Sequence, residues 1–179
     1  IVLVENTTEY GGVCYMYGDG SAVACCPKSA DAYPYDFRGI VQHEAGGHGF
    51  AKLADEYVST SDVTITLDEI ANICAYAEYG WWKNVDFTSD PEKVKWAHIL
   101  SDERYADEPE GVYEGARNCS RGIWRPTYDS IMMDNKGSFN APSREAIWYR
   151  IHKLAYGSDW QYDFEDFVRY DSVNRFPEY

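Results

Sequence analysis

An α+β fold is expected from this sequence on three observations. Short β-forming runs separated by glycine turns crowd the stretch up to Pro27, helical apolar spacing sets in at Phe37, and a capping signature at Thr66 opens a further helix. Residues 1–6 begin Ile1-Val2-Leu3-Val4 and read as a strand, followed by a turn at Glu9-Tyr10-Gly11-Gly12. Val13 to Tyr17 forms a second strand, closed by Gly18-Asp19-Gly20, and Ser21 to Cys26 a third. Pro27 and Pro34 bracket a loop over 29–35. From Asp36 to Leu53, Phe37, Ile40, Val41, Glu44 and His48 recur at helical steps, although Gly46, Gly47 and Gly49 interrupt them. Each glycine costs a helix interior about 1 kcal/mol, so a sequence that keeps three needs them for another purpose.

Thr66-Leu67-Asp68-Glu69 fits a capping box, and the helix it opens runs to Tyr79 with Gly80 as its stop. Residues 81–142 read as irregular, apart from a short helical turn at Asp90-Pro91-Glu92-Lys93. A third helix spans Ser143 to Tyr156, with Ile147, Ile151 and Leu154 on one stripe and Gly157 ending it. The tail beyond is acidic and aromatic, and no repeat or linker divides the chain.

With 179 residues and 45% apolar side chains, the chain has the substance for one sizeable core, which excludes wholesale disorder. Its apolar runs fall short of the roughly 18 residues a membrane span needs. Sixteen Lys+Arg against 30 Asp+Glu leave a net charge of −14, which repels phosphate backbones and anionic lipid. Neither nucleic-acid binding nor membrane insertion is therefore expected. Of the cysteines Cys14, Cys25, Cys26, Cys74 and Cys119, none forms a CxxC pair, which leaves buried thiols or one or two disulfides. If bridges form, Cys74 with Cys119 is the expected pair, because Cys14 lies near Cys25-Cys26.

The chemistry centres on His43-Glu44-Ala45-Gly46-Gly47-His48. Two neutral imidazoles bind Zn²⁺, and an adjacent carboxylate takes a proton from the attacking water. The usual spacing, i to i+4, sets two histidines about 40° apart on a regular helix, whereas i to i+5 sets them about 140° apart. Either the pair is incidental, as two ordinary polar residues, or a π-bulge widens the turn and restores a common face. Gly46-Gly47 sits where that widening is easiest. Seven and eight residues past His48 stand Asp55 and Glu56, after the small residue Ala51. Metzincin zinc proteases complete a site with a ligand placed this way, and Ser130-Ile131-Met132 resembles their Met-turn.

Four segments in order sharpen the comparison: HEAGGHGFAKLADEY from His43, GVYEGA from Gly111, GIWRP from Gly122 and FNAPSREAIWYRI from Phe139. Together with the opening VLVENTTEYGG, the set resembles the immunoglobulin-A peptidase family of zinc metallopeptidases over roughly residues 1–156. The resemblance implies a metzincin-like zincin catalytic domain: a twisted mixed sheet, an active-site helix and a largely helical or irregular C-terminal half. It implies Zn²⁺ held by His43, His48 and Asp55, with Glu56 the next choice, and Glu44 as general base. Its substrates would be proteins or peptides, and its setting secreted, periplasmic or cell-surface. The family's sheet needs strands upstream of Ile1, so 1–179 reads as a single catalytic domain cut from a longer protein.

Three departures bear on the site. The inserted residue displaces His48 unless a bulge absorbs it, Ala51 replaces the glycine of metzincins, and Asp134 stands where many have a tyrosine. Tyr57, Tyr113 and Tyr128 are the candidates to stabilise the transition state. Two other readings are a dipeptidyl peptidase built on HExxGH with a distant Glu ligand, and a binding domain that keeps a peptidase fold without activity. Elsewhere the simpler reading prevails. His98 and His152 are satisfied histidines, Asp19 belongs to a plain turn, Glu114 is structural and pairs with Arg117 or Arg125, and Trp81-Trp82 belongs to the core.

Overall fold

The computed structural model describes residues 1–32 and 36–175 and shows a mixed α+β fold of two small sheets and several helices. Strands β1 (Val2–Glu5), β2 (Val13–Met16) and β3 (Ala22–Pro27) form a three-stranded sheet with β3 in the middle. β1 runs parallel to β3 with Leu3 opposite Cys25, and β2 runs antiparallel with Cys14 opposite Ala24. The three strand expectations hold to within a residue or so at each end. Of the loop expected over 29–35, residues 33–35 lie outside the described part.

Of these three strands, β3 contributes most to the core. Its Ala24 and Cys26 are buried against Ile40, with Phe37, Val41 and Ala45 packed around them. That contact seats helix α1 (Phe37–Val41) and the π-helical segment Gln42–Ala51 against the sheet. Asp36 caps α1, its carboxylate accepting from the Arg38 N–H. The expected widening is therefore present, and it extends beyond a single bulge to ten residues. The helix continues through Ala51, and the chain turns one residue later, at Lys52 in the left-handed region (φ 59°).

Helix α2 (Leu67–Ala77) has the complete capping box, Thr66 Oγ1 accepting from Glu69 N at 3.2 Å and Glu69 Oε2 from Thr66 N at 2.9 Å. The Asp90 turn also forms, Lys93 and Val94 N–H both donating to the Asp90 carbonyl. The stretch expected to be irregular nevertheless contains a short helix α3 (Ala97–Leu100) and a hairpin, β4 (Tyr113–Ala116) and β5 (Cys119–Arg125). Its two-residue turn, Arg117-Asn118, holds both residues at positive φ (49° and 67°). That geometry matches the twist of paired strands but is usually signalled by Asn-Gly or Asp-Gly. Asp86 and Trp124 exchange backbone hydrogen bonds, which fixes the hairpin over Ile73, Val85 and Ile123.

After α4 (Ile131–Asp134), helix α5 (Ala141–Tyr156) starts two residues earlier than expected, capped by Asn140. Its expected stripe is corrected. Ile151 and Leu154 are exposed, while Ala141, Pro142, Ser143, Glu145, Ala146 and Trp148 are buried, because the N-terminal half of the helix is the part that packs on the core. The tail is not featureless either, since α6 (Phe164–Asn174) buries Phe167 and Val168 against Trp148 and Ile99. Residues 176–179 lie outside the described part.

All five cysteines are free, so the expected Cys74–Cys119 bridge is not formed. On α2, Ile73 takes the core-facing position and turns Cys74 to solvent, whereas Cys119 is buried in the hairpin core. No helix among the described residues is long and apolar enough to cross a membrane.

Candidate metal centre

π-Helical hydrogen bonding, i to i+5, stacks residues five apart, which is the spacing of His43 and His48. Their rings lie 4.8 Å apart between centroids, both buried. The chain reverses at Lys52 and returns Asp55 to the same place. His43 Nε2, His48 Nε2 and Asp55 Oδ1 then form a triangle with every side 3.1 Å. His43, His48 and Asp55 are grouped so that they could hold a metal ion.

The donor chemistry of this triangle tests the fit. His43 Nδ1 lies 2.8 Å from the Ile131 carbonyl and His48 Nδ1 2.8 Å from the Leu53 carbonyl. A carbonyl only accepts, so each Nδ1 carries a proton and each ring presents its Nε2 to the triangle. Two imidazole nitrogens and a carboxylate oxygen thus converge on one point. With both rings neutral, two Nε2 lone pairs and the carboxylate oxygen would be available together to a cation. Three ligands of a tetrahedral zinc at about 2.0–2.1 Å would stand about 3.3–3.4 Å from one another, close to the observed spacing. The two carbonyls also provide the outer hydrogen bonds that orient metal-binding histidines.

Glu56 does not join the triangle. It is fully buried and accepts from Asn84 Nδ2 (2.8 Å), Ser130 Oγ (2.7 Å) and Asn140 Nδ2 (3.0 Å to each oxygen). Its N–H donates to the Met132 carbonyl at 2.8 Å. Glu56 therefore fastens the turn carrying Asp55 to α4 and to the start of α5. Asn84, Ser130 and Asn140 are not adjacent in the chain, and this tie was not anticipated.

Glu44 follows the first histidine, is buried, and borders the cleft of about 480 Å³ onto which the triangle opens. Gly12 on the approach to β2 leaves it room; a Cβ there would stand 2.6 Å from Glu44 Oε1. Burial raises the Glu44 pKa above the usual carboxylate range, against the pull of His43 and His48. Burial also pushes Asp55 up, but the hydrogen bonds and charges of the two histidines outweigh it and hold Asp55 well below the ordinary value.

Met132 is fully buried and packs on the π-helical segment at Gly47. Of the three tyrosine candidates, Tyr57 borders the cleft, whereas Tyr113 and Tyr128 pack on each other with centroids 6.2 Å apart. Burial, then Asp55 and Glu44, raise the Tyr57 pKa, so its hydroxyl stays protonated at neutral pH. Arg117 also faces the cleft, its guanidinium 4.5 Å from the centre of the Trp82 ring, and is a residue the sequence reading did not place there.

The remaining expectations fall away from the site. His98 bonds Glu145 at 2.8 Å, and His152 Nδ1 donates to the Trp148 carbonyl at 2.8 Å. Asp19 accepts from Ser21 in a plain turn. Glu114 is structural, but its carboxylate accepts from the Gly122 N–H, and Arg125 reaches the Glu114 carbonyl instead of the side chain. Trp81 and Trp82 are buried as expected, although Trp82 also borders the cleft. No family model matches the chain, and no curated protein matches it in sequence.

Proposed function

We propose that this chain is the catalytic domain of a zinc metalloendopeptidase with a metzincin-like zincin fold, acting on proteins or peptides outside the cytoplasm. The observation that carries the reading is the triangle of His43, His48 and Asp55, with two imidazole nitrogens and a carboxylate oxygen 3.1 Å apart beside a buried glutamate. The ordered motifs and the burial of Met132 against Gly47 agree with it. His43, His48 and Asp55 would hold the zinc, which would supply a Lewis acid for the scissile carbonyl and for the attacking water.

The chain's own groups divide the remaining work. His43 and His48 are held in register by the Ile131 and Leu53 carbonyls, and Asp55 by the network around Glu56. Glu44 accepts the proton of the attacking water on its carboxylate and delivers it to the departing amine nitrogen. Its raised pKa brings it nearer to the operating pH, where a group that both takes and returns a proton works best. Tyr57, whose hydroxyl borders the cleft and stays protonated, would be the donor to the oxygen that gains charge.

Asp55 lies on the turn directly after the helix, which favours this reading over a dipeptidyl peptidase with a distant Glu ligand. The enclosed Glu44, which a binding scaffold would not need, favours it over an inactive domain. The test is cleavage of a blocked internal peptide library by wild type and Glu44→Gln. Wild-type cleavage that falls at least ~10²-fold in Glu44→Gln supports the proposal. No cleavage by the zinc-loaded wild type, or equal cleavage by both, overturns it.

A further inference from the structure

A second cavity, of about 440 Å³, lies at the tip of the β2–β3 hairpin, where that tip meets the C-terminal parts of α2 and α5. Tyr76, Tyr79, Trp81 and Tyr149 provide four aromatic walls, and Arg150 and Lys153 two cations. Arg150 makes no ion pair and no hydrogen bond with the described residues, and its Nε is buried without a partner. Beside the cavity, Lys52 is fully enclosed, its Nζ likewise unpartnered and 5.0 Å from the centre of the Trp81 ring. Lys83 stands over the Tyr149 ring, 3.9 Å from its centre.

Four cations thus gather around one aromatic pocket in a chain whose net charge is −14. Buried cations are ordinarily paired, because a desolvated charge without a counter-ion is costly. Burial lowers the Arg150 pKa with no acid opposing it, and burial followed by Arg150 lowers that of Lys52. The nearby Asp19 is already engaged by Ser21 and, like Glu78, lies exposed at the rim.

We propose that this pocket is a binding site for a carboxylate carried on an apolar or aromatic body, with Arg150 as its principal anchor. The guanidinium fork matches a carboxylate in two parallel hydrogen bonds, and the flat rings take the body behind it. The rim acids disfavour a dianion such as phosphate, and walls of four rings to two cations suit an apolar ligand better than a heavily hydrated one. Two sources share this chemistry, the C-terminal carboxylate of a polypeptide and a free aromatic acid. The site is separate from the metal cleft and does not depend on the peptidase reading.

Calorimetric titration of the intact protein at constant ionic strength tests it, with four probes. These are phenylacetate, inorganic phosphate, and N-acetylalanyl-phenylalanine as the free acid and as the amide. Phenylacetate and the free acid should bind saturably, the amide and phosphate at least tenfold more weakly, and Arg150→Gln should weaken both acids at least tenfold. Arg150→Gln should also melt at or above the wild-type temperature, since it removes an uncompensated cation. Tenfold tighter binding of the peptide acid than of phenylacetate identifies a polypeptide terminus as the source, and equal binding a small acid. Phosphate binding tighter than phenylacetate, amide binding equal to acid, unchanged binding by Arg150→Gln, or a lowered melting temperature of that variant overturns the proposal.

Discussion

Met132 fills the space that a side chain on Gly47 would need: a Cβ at Gly47 would stand 2.9 Å from Met132 Cε and closer still to its sulfur. Met132 is fully buried and belongs to the cluster of Ala51, Leu53, Ile131 and Ala146. Gly47→Ala therefore sets a gain in helix propensity of about 1 kcal/mol against overpacking of about 1–3 kcal/mol. The expected outcome is a net loss of stability in chemical denaturation together with weakened metal binding, because His48 is the next residue. Met132→Ala alone should cost about 2–5 kcal/mol. The double variant should lose less than the two single losses added. Simple additivity would show that the two residues are not in contact.

Glu56 receives donors from Asn84, Ser130 and Asn140, and its role is to hold the Asp55 turn. Glu56→Gln preserves size and an acceptor oxygen, and should retain metal with a modest loss of stability. Glu56→Leu strands three buried donors and should cost about 3 kcal/mol or more. Urea unfolding of both variants measures the difference. Equal, small losses would mean that the donors find other partners.

The residues legible in the sequence are those whose signals are local. His43, Glu44 and His48 fall within one turn, and the glycines between them mark the place where it widens. Thr66 and Glu69 cap each other across three residues. The hairpin β4–β5 was hidden because Arg117 and Asn118 take the left-handed turn positions that glycine usually signals. Helix α6 was hidden because an acid shares its buried face: Asp171 is buried against the Arg144 guanidinium, Nε to Oδ1 2.8 Å. The Glu56 network was out of reach for a different reason, since Asn84, Ser130 and Asn140 meet only once the chain has folded.

Two cysteines give a pH dependence with a definite sign. Burial, then the Glu44 carboxylate, push the thiols of Cys14 and Cys26 up to about 11 from 9.0. Their folded values exceed the unfolded ones, so the native state holds these protons more tightly. The resulting stability is complete below pH 9.0 and is lost as the pH rises toward about 11. Thermal melting of wild type should therefore decline more steeply across that window than melting of Cys14→Ala/Cys26→Ala. Parallel curves would count against buried, protonated thiols. The exposed Cys74 should be the first to be alkylated in the native protein.

The most direct measurement is the zinc content and coordination of the purified protein, by elemental analysis and X-ray absorption, in wild type, Asp55→Ala and Glu56→Gln. The expected result is one zinc per chain with two histidine nitrogens and a carboxylate oxygen at about 2.0–2.2 Å. Glu56→Gln should retain that zinc and Asp55→Ala should lose it. A wild type that takes up no zinc when it is supplied, or an Asp55→Ala variant that keeps the wild-type signal, would contradict the assignment of His43, His48 and Asp55 as the metal centre.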